Sequence, residues 1–126
     1  MQMHSIKPDH PHMIDINLSE FDAKVIRQSH TMLVLVDFWA DWCGPCHALA
    51  PNLIKAVEEE QGLVLLVKIE IDKGNNMKLA GRYNVRGFPT VILFHKGEAI
   101  DRFSSARPMY FIRDFIHKHI EHEHAD

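Results

Sequence analysis

Residues 32–46 read MLVLVDFWADWCGPC, and this stretch decides the fold class. The run MLVLVDFWA, residues 32–40, is almost continuously apolar. That is the signature of a strand buried on both faces at the centre of an α/β sheet. Just downstream, Leu49, Leu53, Ala56 and Val57 fall on one face of a helix predicted over residues 45–61. Glu58, Glu59 and Glu60 read as the solvated end of that helix and Gly62 as its stop. The segment WADWCGPC, residues 39–46, therefore lies where a central strand gives way to a helix. In open α/β sheets, reactive groups gather at the carboxyl ends of such strands.

The two cysteines of the chain, Cys43 and Cys46, are both in that turn. Three residues apart on a first helical turn, they are able to face one another. Pro45 suits the first turn because it needs no backbone donor there. Cys43 at the helix N-terminus meets free amides and the positive end of the helix dipole, which stabilise a thiolate. Cys46 lies deeper at a fixed spacing, so the pair is suited to cycle between dithiol and disulfide. Structural zinc is the chemical alternative. It normally takes four ligands, and no second cysteine pair exists to complete the set.

Outward from this centre the pattern stays that of one α/β domain. Met13 to Ile16 is predicted as a short edge strand. Ser19 to Gln28 is predicted as a helix, with Ser19 and Asp22 as a weak capping box. LVLLVKIEID, residues 63–72, reads as a strand whose far end reaches solvent, and residues 75–83 as a short helix. TVILFHKGEAIDRF, residues 90–103, reads as an antiparallel hairpin turning at Lys96-Gly97. A last helix is predicted over residues 107–119, with Met109, Ile112, Ile116 and Ile120 on one face. Packing on the sheet is preferred for that face over a membrane or a partner. Together these elements predict an α/β fold with a mixed sheet covered on both sides.

Composition sets the outer bounds. At 126 residues the chain has the length of one domain and enough core to fold without staples. Fourteen basic against seventeen acidic residues leave a formal charge of −3, which argues against general nucleic-acid or membrane binding. No apolar run reaches the roughly 18 residues needed to span a bilayer, and the opening MQMHSIKPDHPH has no apolar signal-type core. Residues 1–12 read as a flexible arm, 13–120 as the domain and 121–126 as a polar His/Glu-rich tail. Histidine occurs ten times. Those at 117, 119, 122 and 124 are weighed as transition-metal ligands against a solvated, frayed end, and the frayed end is preferred.

WCGPC, the preceding VDFWA and the later GFPT at residues 87–90 together resemble the thioredoxin family. The likeness covers roughly residues 13–120. It implies a thioredoxin-like fold with a central mixed sheet of four or five strands, and dithiol–disulfide exchange with protein substrates. Cys43 matches the attacking cysteine and Cys46 the resolving one. Asp37 matches a buried carboxylate associated with proton transfer, and Lys68 the lysine beside it. Pro89 matches a cis-proline near the cysteines. Trp42, with Trp39, matches the active-site tryptophans, and Gly44 and Pro45 complete the motif. Gly87, Phe88, Pro89 and Trp42 fall on the implied substrate-docking surface.

The residues by themselves support part of this. Asp37 interrupts an apolar strand, so desolvation raises its pKa. Proton transfer is the preferred role, a structural acid the alternative. Lys68 either pairs with Asp37 or points outward. The likeness also has departures. His47 follows the second cysteine where lysine is common, and it reads as solvent-facing. Residues 103–106 read FSSA where the family has a glycine. Ser104 is taken as the glycine-like position, whose side chain narrows the docking surface.

The function expected is that of a protein-disulfide reductase, a cytoplasmic monomer with no bound cofactor beyond its Cys43–Cys46 disulfide and no metal. Its expected partners are protein disulfides and an NADPH-dependent thioredoxin reductase, because no GxGxxG fingerprint offers a nucleotide site on this chain. The competing class is a thioredoxin-like interaction or co-chaperone module with little turnover.

Overall fold

A computed structural model describes the backbone of residues 6–7 and 10–123 and the side chains of residues 10–120. Five strands of six or seven residues form the sheet: β2 (His10–Asp15), β3 (Leu33–Trp39), β4 (Val64–Glu70), β5 (Thr90–His95) and β6 (Glu98–Ser104). A two-residue strand, β1 (Ile6–Lys7), pairs antiparallel with β2 at the edge. The order is β1-β2-β4-β3-β5-β6. β2, β4 and β3 run parallel, while β5 and β6 run antiparallel to their neighbours. Helices α1 (Gly44–Glu58), α2 (Asn76–Arg82) and α3 (Met109–Glu123) follow β3, β4 and β6.

β3 is the central strand that MLVLVDFWA predicts, and alternation along it divides the core. Leu33 and Leu35 join Leu49 and Leu53 of α1 and Ile112 and Ile116 of α3 on one face. Val34, Val36 and Phe38 join Phe21, Val25 and Leu79 on the other. Because strand side chains alternate, Asp37 and Trp39 share the face of Leu35, the one covered by α1. Lys68 shares it too: it pairs with Asp37 in the parallel register and follows Leu66 by two residues. Strand alternation and the parallel β3–β4 register together bring an acid, a base and an indole to the face covered by α1.

Several boundaries differ from expectation. The edge strand begins at His10 rather than Met13, and Ile6 and Lys7 form β1, so five residues assigned to the arm are in the sheet. Met13, Ile14 and Asp15 pair with β4, whereas His10 is held in the sheet by pairing with Lys7 of β1. The first helical run spans residues 18–30 as short 3-10 and π turns. Its box is Asn17 with Glu20, not Ser19 with Asp22: the Glu20 carboxylate accepts from the Asn17 amide at 3.2 Å. The hairpin turns at Lys96-Gly97, both left-handed at φ +54° and +81°, as a two-residue turn requires. α3 runs on to Glu123, so residues 121–123 of the assigned tail are helical, and 124–126 lie outside the described residues.

The end of α1 is also different from its reading. Glu58, Glu59 and Glu60 are not simply solvated. His10 Nδ1 lies 2.9 Å from Glu58, Arg113 donates two bonds of 2.9 and 2.7 Å to Glu59, and His117 Nε2 lies 2.8 Å from Glu60. Acids at a helix C-terminus oppose the dipole, and the Arg113 guanidinium from α3 offsets that at Glu59.

Candidate active site

β3 ends at Trp39, and Ala40 to Cys43 turn the chain into α1. Cys43 caps the helix in an extended conformation (φ −95°, ψ 107°), with Gly44 and Pro45 in the first turn. Its sulfur accepts from the Cys46 amide at 3.2 Å, which is the helix-terminus contact expected to favour negative sulfur. Cys43 and Cys46 are joined in a disulfide. Cys43 is 5% exposed and Cys46 only 1%. Both cysteines are thus buried, Cys43 the less so.

The surroundings of the disulfide are exposed on one side. Gly44, Pro45 and Gly87 are exposed, and a Cβ at either glycine would meet nothing within 4 Å. Trp42 is 68% exposed. A hydrogen bond from its Nε1 to Asp72 at 2.8 Å and an edge contact with Phe88 hold it in place rather than burial. A large, fixed, exposed aromatic is typical of contact surfaces. The Phe88–Pro89 bond is cis, and the Phe88 carbonyl lies 3.5 Å from Cys43 Sγ.

Under α1, Asp37 is fully buried and neither carboxylate oxygen has a hydrogen-bond partner. Lys68 Nζ stands 3.8 Å from Oδ2, an ion-pair distance too long for a hydrogen bond. Burial pushes the Asp37 pKa up from 3.8 to about 6, and Lys68 only partly counters it. The Lys68–Asp37 pair that the sequence left open is thus formed. His47 is exposed as expected, yet engaged: its Nε2 lies 2.7 Å from the Asp41 carbonyl and its ring meets Trp39 edge-on.

One predicted residue shifts by a position. Ser104 ends β6, paired with Thr90. The left-handed residue is Ser105, at φ +74°, and its amide donates to the Pro89 carbonyl at 3.2 Å. Glycine is favoured where φ is positive, so the glycine-like position is Ser105. The double serine concealed which of the two carries the turn. Asp72 was also missed in the sequence, because nothing local marks it as the partner of Trp42.

Residues 12–118 match the thioredoxin family model. The chain belongs to the thioredoxin family. It is 32% identical over 108 residues to a thioredoxin of Staphylococcus epidermidis, covering 86% of this chain and 98% of that protein. It is 37% identical over 87 residues to a thioredoxin of Chlorobaculum thiosulfatiphilum, covering 69% and 79%. It is 43% identical over 100 residues to a probable thioredoxin-2 of Caenorhabditis elegans, covering 79% and 66%. Family membership and the bonded Cys-Gly-Pro-Cys pair make the chain a protein-disulfide oxidoreductase. Among the described residues, no group of three or more His, Cys, Asp or Glu is placed to hold a metal. His117 and His119 face Glu60 and Asp101 instead, each at 2.8 Å.

Proposed function

We propose that the chain works chiefly as a reductase of protein disulfides. The observation that carries this reading is the asymmetry of the pair: Cys43 caps the helix N-terminus beside the exposed Trp42 and Gly44 and is 5% exposed, while Cys46 lies inside the first turn at 1%. The Cys43 thiolate attacks a substrate disulfide, forms a mixed disulfide and expels one substrate thiolate. Cys46 loses its proton and attacks Cys43 Sγ, which breaks the mixed disulfide and expels the second thiolate. Two electrons pass to the substrate, and Cys43–Cys46 is left oxidised.

Asp37 takes the Cys46 proton, directly or through water. Titrating at about 6, it is mostly ionised at neutral pH yet close enough to it to exchange protons readily. The backbone of Phe88 beside Pro89 holds an extended substrate segment by strand-like bonding, flanked by Trp42, Gly87 and the Ser104-Ser105 turn. Electrons return from an NADPH-dependent thioredoxin reductase. The reducing direction suits a cytoplasmic setting, and no described helix is long and apolar enough to cross a membrane.

Reduction of insulin disulfides, with NADPH and a thioredoxin reductase as the source of electrons, tests the reading. Rapid turnover that is lost in a double Cys43→Ser, Cys46→Ser variant supports it. Negligible turnover, with chaperone activity unchanged by the double substitution, would favour an interaction module instead.

A further inference from the structure

Trp39 has no part in the exchange chemistry just described, yet three observations converge on it. Its ring face lies 4.5 Å from Lys68 Nζ. That same ammonium is the 3.8 Å ion-pair partner of Asp37. And the indole Nε1 is buried without a hydrogen-bond partner.

The last point bears on why an indole stands there. A buried N–H without an acceptor is destabilising, so an aliphatic residue would fill the space with less penalty. What an aliphatic residue lacks is a π face. Lysine has a long, rotamer-rich stem, and nothing in the β4 backbone obliges Lys68 to reach toward Asp37. The register explains the meeting: Asp37 pairs with Lys68 and Trp39 with Glu70, so the indole stands one pleat beyond the acid on the same face. The ring is fixed from above by its edge contact with His47 of α1, at 5.8 Å between centroids.

We propose that Trp39 is a positioning residue for the buried carboxylate: its ring face holds the Lys68 ammonium beside Asp37, and through Lys68 it sets the proton affinity of Asp37. The kinetic consequence rests on the proposed role of Asp37 as proton acceptor; the coupling itself does not. Without the ring, Lys68 turns out to the polar cleft it lines with Asp15, Glu70 and Lys73. Asp37 then loses its cation and holds its proton to higher pH. The other charged groups around the triad are Asp15 of β2, Glu70 of β4, Lys73 beyond it and His47 of α1.

The test follows the Asp37 carboxyl by 13C NMR through a pH titration of the oxidised protein, where no turnover intervenes. Lys68→Met should raise the midpoint by about one unit. Trp39→Leu should raise it by a substantial part of that, and Trp39→Phe, which keeps a ring face, by less. On the Lys68→Met background, Trp39→Leu should add nothing. Asp15, Glu70, Lys73 and His47 are unchanged in every variant, so their influence cancels in the cycle. An unmoved midpoint in Trp39→Leu overturns the proposal. So does an equal shift with Lys68 absent, which would assign the effect to burial. If Trp39→Leu does not fold, Trp39→Phe with and without Lys68 decides in the same way. A titration that behaves as expected while Asp37→Asn leaves the resolving step unchanged would keep the coupling and remove only the catalytic reading.

Discussion

Asp37 lies two residues from the end of β3, beneath the first turn of α1, while Glu59 caps the far end of the same helix. Asp37 is fully buried, has no hydrogen bond, and faces one lysine at 3.8 Å. Glu59 is partly exposed and receives two short bonds from Arg113. The carboxyl group is the same, yet burial lifts Asp37 to about 6, whereas the Arg113 hydrogen bond holds Glu59 below the usual range. The comparison separates two uses of charge. A carboxylate that is satisfied ties elements together; one that is left unsatisfied in the interior is poised to exchange a proton.

The largest effect expected from breaking the comparison is at the cysteines. Cys43→Ser should reduce insulin-disulfide reduction to background. Cys46→Ser should permit the first attack and then stall, and gel electrophoresis under non-reducing conditions should show trapped mixed disulfides. Neither change should disturb the ion pairs at the far end of α1. Normal multiple turnover by either variant would contradict the two-step exchange.

Asp37→Asn comes next and should have opposite effects on rate and stability. The resolving step should slow by up to about 10²-fold near neutral pH, seen by stopped-flow. Stability should rise. A carboxyl whose folded pKa is raised is destabilising once ionised, so the wild-type chain loses stability as pH climbs from about 4 to about 6. The Asn variant should escape that loss. Its advantage should be absent below pH 4, grow to about pH 6, and level off on the order of 2–3 kcal/mol. Urea denaturation across pH measures this, and a constant difference would remove the buried-acid account.

A smaller effect is expected at Ser105. Its φ of +74° is costly for a residue with a Cβ, and Ser105→Gly should gain about 1 kcal/mol in the same denaturation experiment. Ser104→Gly, at the end of a regular strand, should gain nothing. If the glycine at 105 also changes relative rates over a panel of protein disulfides, the turn shapes substrate choice as well.

The smallest effect is expected at Glu59. Glu59→Gln should lower the melting temperature slightly at neutral pH, and 1 M salt should erase the difference, because exposed pairs are screened. The sign is opposite to that of Asp37. A depressed carboxyl contributes above its ordinary pKa, so this contribution should fade as pH falls through the acid range. The neighbouring pairs of Glu58 and Glu60 are with histidines, which are ionic only while protonated.

Which of these features were legible in the chain follows from the range over which each is determined. The strand-turn-helix around Cys43 and Cys46, the Lys96-Gly97 hairpin and the helical face of Leu49, Leu53, Ala56 and Val57 are local patterns. Periodicity, turn chemistry and capping act over a few residues, so 32–62 and 90–103 could be read directly. The burial of Asp37 was legible as well, because its apolar neighbours imply it. Other features depend on residues far apart in sequence. Glu58, Glu59 and Glu60 look solvated until β2 and α3 bring His10, Arg113 and His117 against them. Trp42 finds Asp72 thirty positions away. Lys68 had two directions open to it until parallel pairing of β3 with β4 placed it beside Asp37 and Trp39. Between Ser104 and Ser105, only the path of the backbone past Pro89 decides which takes the left-handed turn. The sequence by itself determined the elements and the reactive pair. The packing of those elements determined which charges are paired, because a partner in space carries no mark in the local pattern.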